Sequence, residues 1–401
     1  MPRSTWLIGV TCFLVTFYMS QHFFNSLLQL RQQQSYQESI LVVETAADVT
    51  YTNDATLAPH GATSQRNILL YTSYRSGSSF TGELFNQNPS VHYVFEPLKL
   101  MSLDPRNVQA RSVHLQKRIH EYVIDAFQCN YTALMRDSHK FFNKSMTNPR
   151  NFWIKLMFRQ TYEKSKLKFT KTEADMEKLE AVCRQYDIQV MKIIRCDHID
   201  SIITLMINHD VDVIYLVRDP RAIAWSRYKI EGPKKPKQSD AKTMHASGVE
   251  FLVKNAKRIC DSYLEALDFT QGAIMSKQRS LIQRKFVIVR YEDLAFNPEI
   301  MSQKLYKFLD LEYPTEIEDW IKNSTHENIT SKATFDTKRN SREAAEKWRQ
   351  QVPVTAVLAM QDVCQEAMEQ FSYTLVRDEA HLLDTDQSLV EELNSHLRFT
   401  L

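Results

Sequence analysis

Seven consecutive positions, Arg75, Ser76, Gly77, Ser78, Ser79, Phe80 and Thr81, bring together a guanidinium, three serine hydroxyls, a threonine hydroxyl and a glycine. That set suits the capture of an anion. Backbone N–H groups and hydroxyls donate to it, the arginine fork takes two of its oxygens, and glycine lets the backbone come close. A second set lies far downstream, where Arg218 follows an apolar run and Arg221 and Ser226 come after it. Arg218 and Ser226 can grip an anion from two sides. A magnesium-binding strand would end instead on an exposed aspartate opposite a loop Ser or Thr. Asp219 is read as a helix cap or as the partner of Arg221. One carboxylate, Glu96, stands at the end of another apolar run and suits a general base. The plainer reading of Glu96 is a surface acid paired with Lys99. His92 is a weaker base candidate and reads first as a packed strand histidine.

These residues need strands to deliver them and helices to follow. Ile68 to Tyr71 is a short apolar run that reads as a buried parallel strand, with a helix starting near Gly82. Gly77 and Gly82 are two of only seven glycines in the chain. Val91 to Glu96 is a second strand, and Pro97 predicts an extended Glu96. Further strands are expected over 187–194, 211–217 and 285–289. Helices are expected over 111–127, 198–208, from Pro220 onward and over 302–309. Lys338, Arg339 and Asn340 form a basic loop opening a helix to Trp348, and a single amphipathic helix is expected from Thr355 to Phe371. Strands alternating with helices predict an α/β fold, a central parallel sheet covered on both faces. Sites in such sheets lie beyond the carboxyl ends of the strands.

The rest of the chain of 401 residues sets the context. A net charge of +2 does not suit a dedicated nucleic-acid binder. Residues 4–30 carry no Asp, Glu, Lys or Arg, and residues 6–28 read as a transmembrane signal-anchor. Residues 1–5 would be a cytosolic tail and the orientation type II. Residues 29–66 read as a flexible stem, 67–375 as the catalytic domain and 376–401 as a C-terminal tail. Four glycosylation sequons begin at Asn130, Asn143, Asn323 and Asn328. The basic run from Lys164 to Lys171 reads as a solvated face. Of six cysteines, Cys12 lies in the anchor, and five would share an oxidising lumen. No C-x-x-C or regular histidine spacing marks a metal site.

The first loop is not a nucleotide-triphosphatase loop, since it lacks the first glycine and the Gly-Lys pair. It resembles the 5′-phosphosulfate loop of sulfotransferases that use 3′-phosphoadenosine 5′-phosphosulfate (PAPS). A serine-rich turn capping a helix is the rival reading. Leu216 to Arg227, L-V-R-D-P-R-A-I-A-W-S-R, resembles the 3′-phosphate motif of Golgi carbohydrate sulfotransferases. The resemblance runs from about Asn67 to Tyr373, through Phe95 to Leu98, Val289 to Leu294, Trp320 to Thr325 and Arg339 to Arg349. It points to the galactose, GalNAc and GlcNAc 6-O-sulfotransferases, nearest to the keratan-sulfate and chondroitin types. The resemblance implies a P-loop-like three-layer fold, PAPS as donor with no metal, and a glycan acceptor. It also implies a Golgi membrane location with a luminal catalytic domain, and it leaves a homodimer open. Arg75, Ser76, Gly77, Ser78, Ser79, Phe80 and Thr81 would bind the 5′ end of the donor, and Arg218, Arg221 and Ser226 its 3′-phosphate. Arg339 would fold over the nucleotide, and Arg75 and Glu96 would be catalytic. It also implies that Cys129, Cys183, Cys260 and Cys364 pair, leaving Cys196 as the odd cysteine. The segment from Lys229 to His245 departs from the family pattern. A P-loop kinase would need magnesium and a loop lysine. An inactive glycan-binding protein would have lost one of Arg75, Glu96, Arg218 or Ser226.

Overall fold

A computed structural model describes residues 65–99, 101, 113–137, 157–158, 173–196, 199–233, 244–275, 284–325 and 340–393. The expected anchor, nearly all of the stem, Arg339 and the sequons at Asn143 and Asn328 lie outside these residues. Among the described residues no helix is long and apolar enough to cross a membrane.

Five strands form one parallel sheet: β1 Arg66–Thr72, β2 Val91–Phe95, β3 Ile188–Ile193, β4 Val211–Val217 and β5 Phe286–Arg290. Their order is β2-β3-β1-β4-β5. The described helices are α1 Ser78–Asn86, α2 Val113–Phe127, α3 Tyr131–Asp137, α4 Glu173–Cys183, α5 Ile199–His209, α6 Pro220–Glu231 and α7 Ala246–Met275. They continue as α8 Tyr291–Phe296, α9 Pro298–Phe308, α10 Thr315–Ser324, α11 Ser341–Glu346, α12 Val354–Asp362, α13 Gln365–Gln370 and α14 Glu379–Leu383.

The sheet is apolar on both faces, as a parallel sheet must be. Along β1, Leu69 and Tyr71 enter one core cluster with α2, α5 and α7. Ile68 and Leu70 point the other way, into a cluster with α1, α9 and α10. The layers are therefore helix, sheet and helix. The chain leaves β1 toward β2 on one side, while the crossover from β3 to β4 passes to its other side, so the winding reverses at β1, and such reversals set a crevice at the carboxyl end of the sheet.

Four expectations are corrected. Arg66 belongs to β1, not to the stem. The first helix starts at Ser78, four residues before Gly82, because Gly77 turns left-handed with φ +92° and ends the loop there. Gly82 serves packing instead: a Cβ there would come within 2.0 Å of the Tyr93 hydroxyl. The expected single helix from Thr355 to Phe371 is two, α12 and α13. They break at Cys364, which a disulfide ties to Cys260 on α7. The other disulfide joins Cys129 to Cys183. Cys196 is buried outside both bridges. Of the two described sequons, Asn323 is exposed, whereas the Asn130 amide donates to Asp125 at 3.1 Å.

The folded unit also runs past residue 375, as far as the described residues reach. Two buried arginines hold this last segment by its carbonyls. Arg349 donates to Leu382 at 3.0 Å, His381 at 3.3 Å, Gln387 at 2.9 Å and also Asp384. Arg290 donates to Phe371 at 2.9 Å and Glu391 at 2.7 Å. An Arg349→Ala change would leave several buried acceptors without donors, at about 3 kcal/mol of stability. Urea unfolding measures this, and Arg349→Lys should not restore it, since one ammonium lacks the planar fork. A loss under about 0.5 kcal/mol, the range of a neutral surface change, would show that the tail is not anchored this way.

Candidate functional site

Every strand of the sheet sends a polar residue to one edge. β1 runs into the loop 73–77, where Arg75 is left-handed at φ +72° and Gly77 follows at φ +92°. Left-handed non-glycine residues are uncommon and gather at functional sites. Gly77 is the N-cap of α1 and no side chain caps that helix. The helix N-terminus therefore faces the loop with its partial positive charge. A Cβ at Gly77 would sit 2.2 Å from the Tyr291 ring, so glycine is demanded by space as well as by φ.

The two anion sets meet. Arg75 Nε donates to the Ser226 hydroxyl at 2.9 Å, and Arg218 Nη1 donates to the Arg75 carbonyl at 3.1 Å. Arg218 Nη2 donates to the Ala344 carbonyl at 3.2 Å, and the guanidinium lies 4.6 Å from the Tyr291 ring centre. Its Nε is buried with no hydrogen-bond partner. Pro220 opens α6, and Asp219 caps it by accepting from Arg221 N at 2.8 Å. Ser226 comes two turns later, beside the loop.

The other loop residues divide by role. Ser78 and Thr81 are buried, and Thr81 Oγ1 has no hydrogen-bond partner. Ser79 is half-buried and receives Lys192 Nζ at 3.5 Å. Ser76 is fully buried and shares a 2.8 Å hydrogen bond with Thr72, which donates to the Leu216 carbonyl at 2.6 Å. Ser76 thus braces the loop against β4. Phe80 packs edge-on to Tyr291 and against Trp320. Arg221 corrects the reading of it as a ligand-binding residue. It is fully buried, its charge is matched by Asp219 at 2.7 Å, and it donates to Gln361 at 2.7 Å and to the Thr374 carbonyl at 3.1 Å.

Glu96 is not a surface acid. It is 7% exposed and paired with Lys192 at 2.9 Å and Arg195 at 2.5 Å, not with Lys99. It also corrects the extended backbone expected before Pro97, having φ +49°. Its N–H donates to the Lys192 carbonyl at 2.9 Å, and its carbonyl closes a turn with Lys99 N at 3.0 Å. These bonds and the two ion pairs override the preference of a residue before proline. Burial pushes the Glu96 carboxyl up, but Lys192 and Arg195 outweigh it and hold the pKa below the ordinary carboxylate value. His92 is packed, as read. Its Nε2 lies 2.8 Å from the Tyr131 hydroxyl, among Tyr131, Phe158 and Tyr186.

Sequence reasoning missed Lys192 and Arg195. Lys192 is fully buried on β3, opposite Leu70 and Phe95, with its ammonium 3.7 Å from the Phe95 ring centre. Burial pushes its pKa down and the Glu96 pair opposes that. The available signal was a lysine inside a strand whose only other polar residue is Gln189, since a charge so placed needs a buried partner. It also missed Glu292 as a neighbour of Arg218. That carboxyl is buried 3.9 Å from Arg218 Nε.

A cavity of about 350 Å³ elsewhere, lined by His120, His209 and Asp125, holds none of these residues. Among the described residues no group of three His, Cys, Asp or Glu side chains is placed to hold a metal ion.

The sulfotransferase domain model matches residues 65–372. Human carbohydrate sulfotransferase 3 is 28% identical over 359 residues, covering 83% of this chain and 72% of its own. Human carbohydrate sulfotransferase 5 is 27% identical, covering 79% of each chain. Mouse carbohydrate sulfotransferase 1 is 28% identical, covering 81% of this chain and 84% of its own. The domain match takes in all five strands together with the loop, Glu96, Arg75 and Arg218, and on that ground the chain belongs to the sulfotransferase family.

Proposed function

We propose that the protein transfers sulfate from PAPS to a glycan, at the 6-hydroxyl of a galactose, GalNAc or GlcNAc, as in keratan or chondroitin chains. What carries the reading is the contact between the two anion grips. Arg75 bonds Ser226, and Arg218 bonds the Arg75 backbone, so the loop after β1 and the strand end of β4 adjoin and can close on one ligand. A donor with phosphate at both its 5′ and 3′ ends fits such a pair. Thr81 Oγ1 and Arg218 Nε, buried without a hydrogen-bond partner, offer it donors.

Arg75, Ser78, Ser79 and the N-terminus of α1 hold the 5′-phosphosulfate end, and Arg218 and Ser226 hold the 3′-phosphate and disfavour ATP, which lacks one. Lys192 stands between Ser79 and Glu96, where it balances charge on the sulfate oxygens. Glu96 accepts the proton of the sugar hydroxyl. The sugar oxygen bonds to sulfur, the bond from sulfur to the bridging oxygen breaks, and its electron pair leaves on the 5′-phosphate. Residues 6–28 anchor the chain in the Golgi membrane with the catalytic domain in the lumen.

Incubating the detergent-solubilised full chain with PAPS carrying labelled sulfur and a panel of desulfated glycans tests this. Label should enter at least one hexose at its 6-position. Label in no glycan, or transfer that needs ATP and magnesium, would overturn it.

A further inference from the structure

Glu292 has no part in the chemistry above, yet it is the buried carboxylate nearest to the 3′-phosphate grip. It is 3% exposed at the start of α8. Its Oε1 accepts from Asp219 N at 3.0 Å and its Oε2 accepts from the Tyr373 hydroxyl at 3.0 Å. Both bonds lock the carboxylate in place. Oε1 then lies 3.9 Å from Arg218 Nε, beyond hydrogen-bond reach but close for an ion pair. Arg218 spends its other nitrogens on two neutral carbonyls, so Glu292 is the carboxylate that faces its charge.

An anion arriving at Arg218 competes for that charge. Glu292 would then sit beside a phosphate dianion, with its counter-charge shared and little water to screen it. We propose that Glu292 is the positioning residue of Arg218, and that its carboxyl gains proton occupancy from solvent when a phosphate occupies that arginine. The inference rests on Arg218 as the 3′-phosphate grip.

Burial already pushes the Glu292 carboxyl up to about 7, against the pull of Arg218, so a modest further push protonates it near neutrality. The other charged or titratable groups around it are few. Asp219 is matched by Arg221 at 2.7 Å. Arg290 lies over the Tyr373 ring at 5.7 Å. The Tyr263 hydroxyl donates to the Arg218 carbonyl at 2.7 Å. Burial raises Tyr263 and Tyr373 well above the ordinary tyrosine value, so neither titrates near pH 8.

The test is calorimetric titration of the full chain at pH 8 in two buffers of different ionisation enthalpy. Adenosine 3′,5′-bisphosphate is compared with adenosine 5′-monophosphate. The second pKa of a phosphate monoester is about 6, so both ligands are already fully ionised at pH 8. If the bound phosphate raises Glu292 by about one unit, the bisphosphate brings an uptake of roughly half a proton and the monophosphate none. Affinity for the bisphosphate then weakens roughly fivefold from pH 7 to pH 9. Glu292→Gln abolishes the uptake and flattens that slope. Equal uptake with both ligands, no uptake with the bisphosphate, or uptake surviving in Glu292→Gln overturns the proposal. The wild-type comparison of ligands decides even if the variant does not fold. A wild-type chain that binds no bisphosphate at all overturns the donor reading itself, and this inference with it.

Discussion

Arg218→Ala is expected to raise the PAPS concentration for half-maximal rate by about a hundredfold, from the loss of about 3 kcal/mol of charge-assisted hydrogen bonding. The effect should fall on the 3′-phosphate. Adenosine 5′-phosphosulfate, which lacks that group, should be used about equally by the variant and the wild type. The variant would therefore lose its preference between the two donors. Arg218 also donates to the Arg75 and Ala344 carbonyls and faces Glu292, so part of the loss is structural. Arg218→Lys separates the two contributions. It keeps the positive charge beside Glu292 but not the planar fork, and should recover stability more than donor affinity. An Arg218→Ala enzyme that still prefers PAPS would place the 3′-phosphate elsewhere.

Glu96→Gln is expected to lower kcat by 10²- to 10⁴-fold or thereabouts, the usual worth of a positioned base, with donor binding within a few-fold of wild type. It should also destabilise the fold by about 3–5 kcal/mol, because Lys192 and Arg195 would be left with buried, unmatched charge. Adding Lys192→Met to Glu96→Gln should return part of that stability while leaving the rate low. The pH dependence follows from the lowered Glu96 pKa. A carboxyl depressed in the folded state contributes stability that is present above its unfolded pKa. That stability is lost as pH falls through the lower, folded value. Stability should therefore begin to fall within the ordinary carboxylate range, where the unfolded chain takes up its proton, while the rate holds until pH reaches the lower, folded value. Full turnover in Glu96→Gln would move the base elsewhere. His92, bonded to Tyr131 inside the core, is not the replacement.

Asp219 shows how local chemistry can be legible in the chain. An aspartate before proline at a helix start was read as a cap or as the partner of Arg221, and it is both. Arg221 shows the limit. Its spacing from Arg218 suits a ligand, but its side chain meets Gln361 and the Thr374 carbonyl, residues 140 and 153 positions away. The positive φ at Arg75 and Glu96 was equally out of sight. A left-handed residue at either position is maintained by contacts from other strands, not by its neighbours.

The sequence alone determined the parallel α/β fold, because period and apolar runs are properties of neighbouring residues. It also placed the serine-rich loop after β1 and the arginine after β4, while the family resemblance singled out Cys196, which lies outside both disulfides. Only the tertiary structure decided that the two grips touch, that Glu96 is gripped by Lys192 and Arg195, and that Glu292 stands behind Arg218. Those pairs lie between 74 and 151 positions apart. Their energies depend on burial and on through-space distance, and a linear chain carries neither until the sheet has folded.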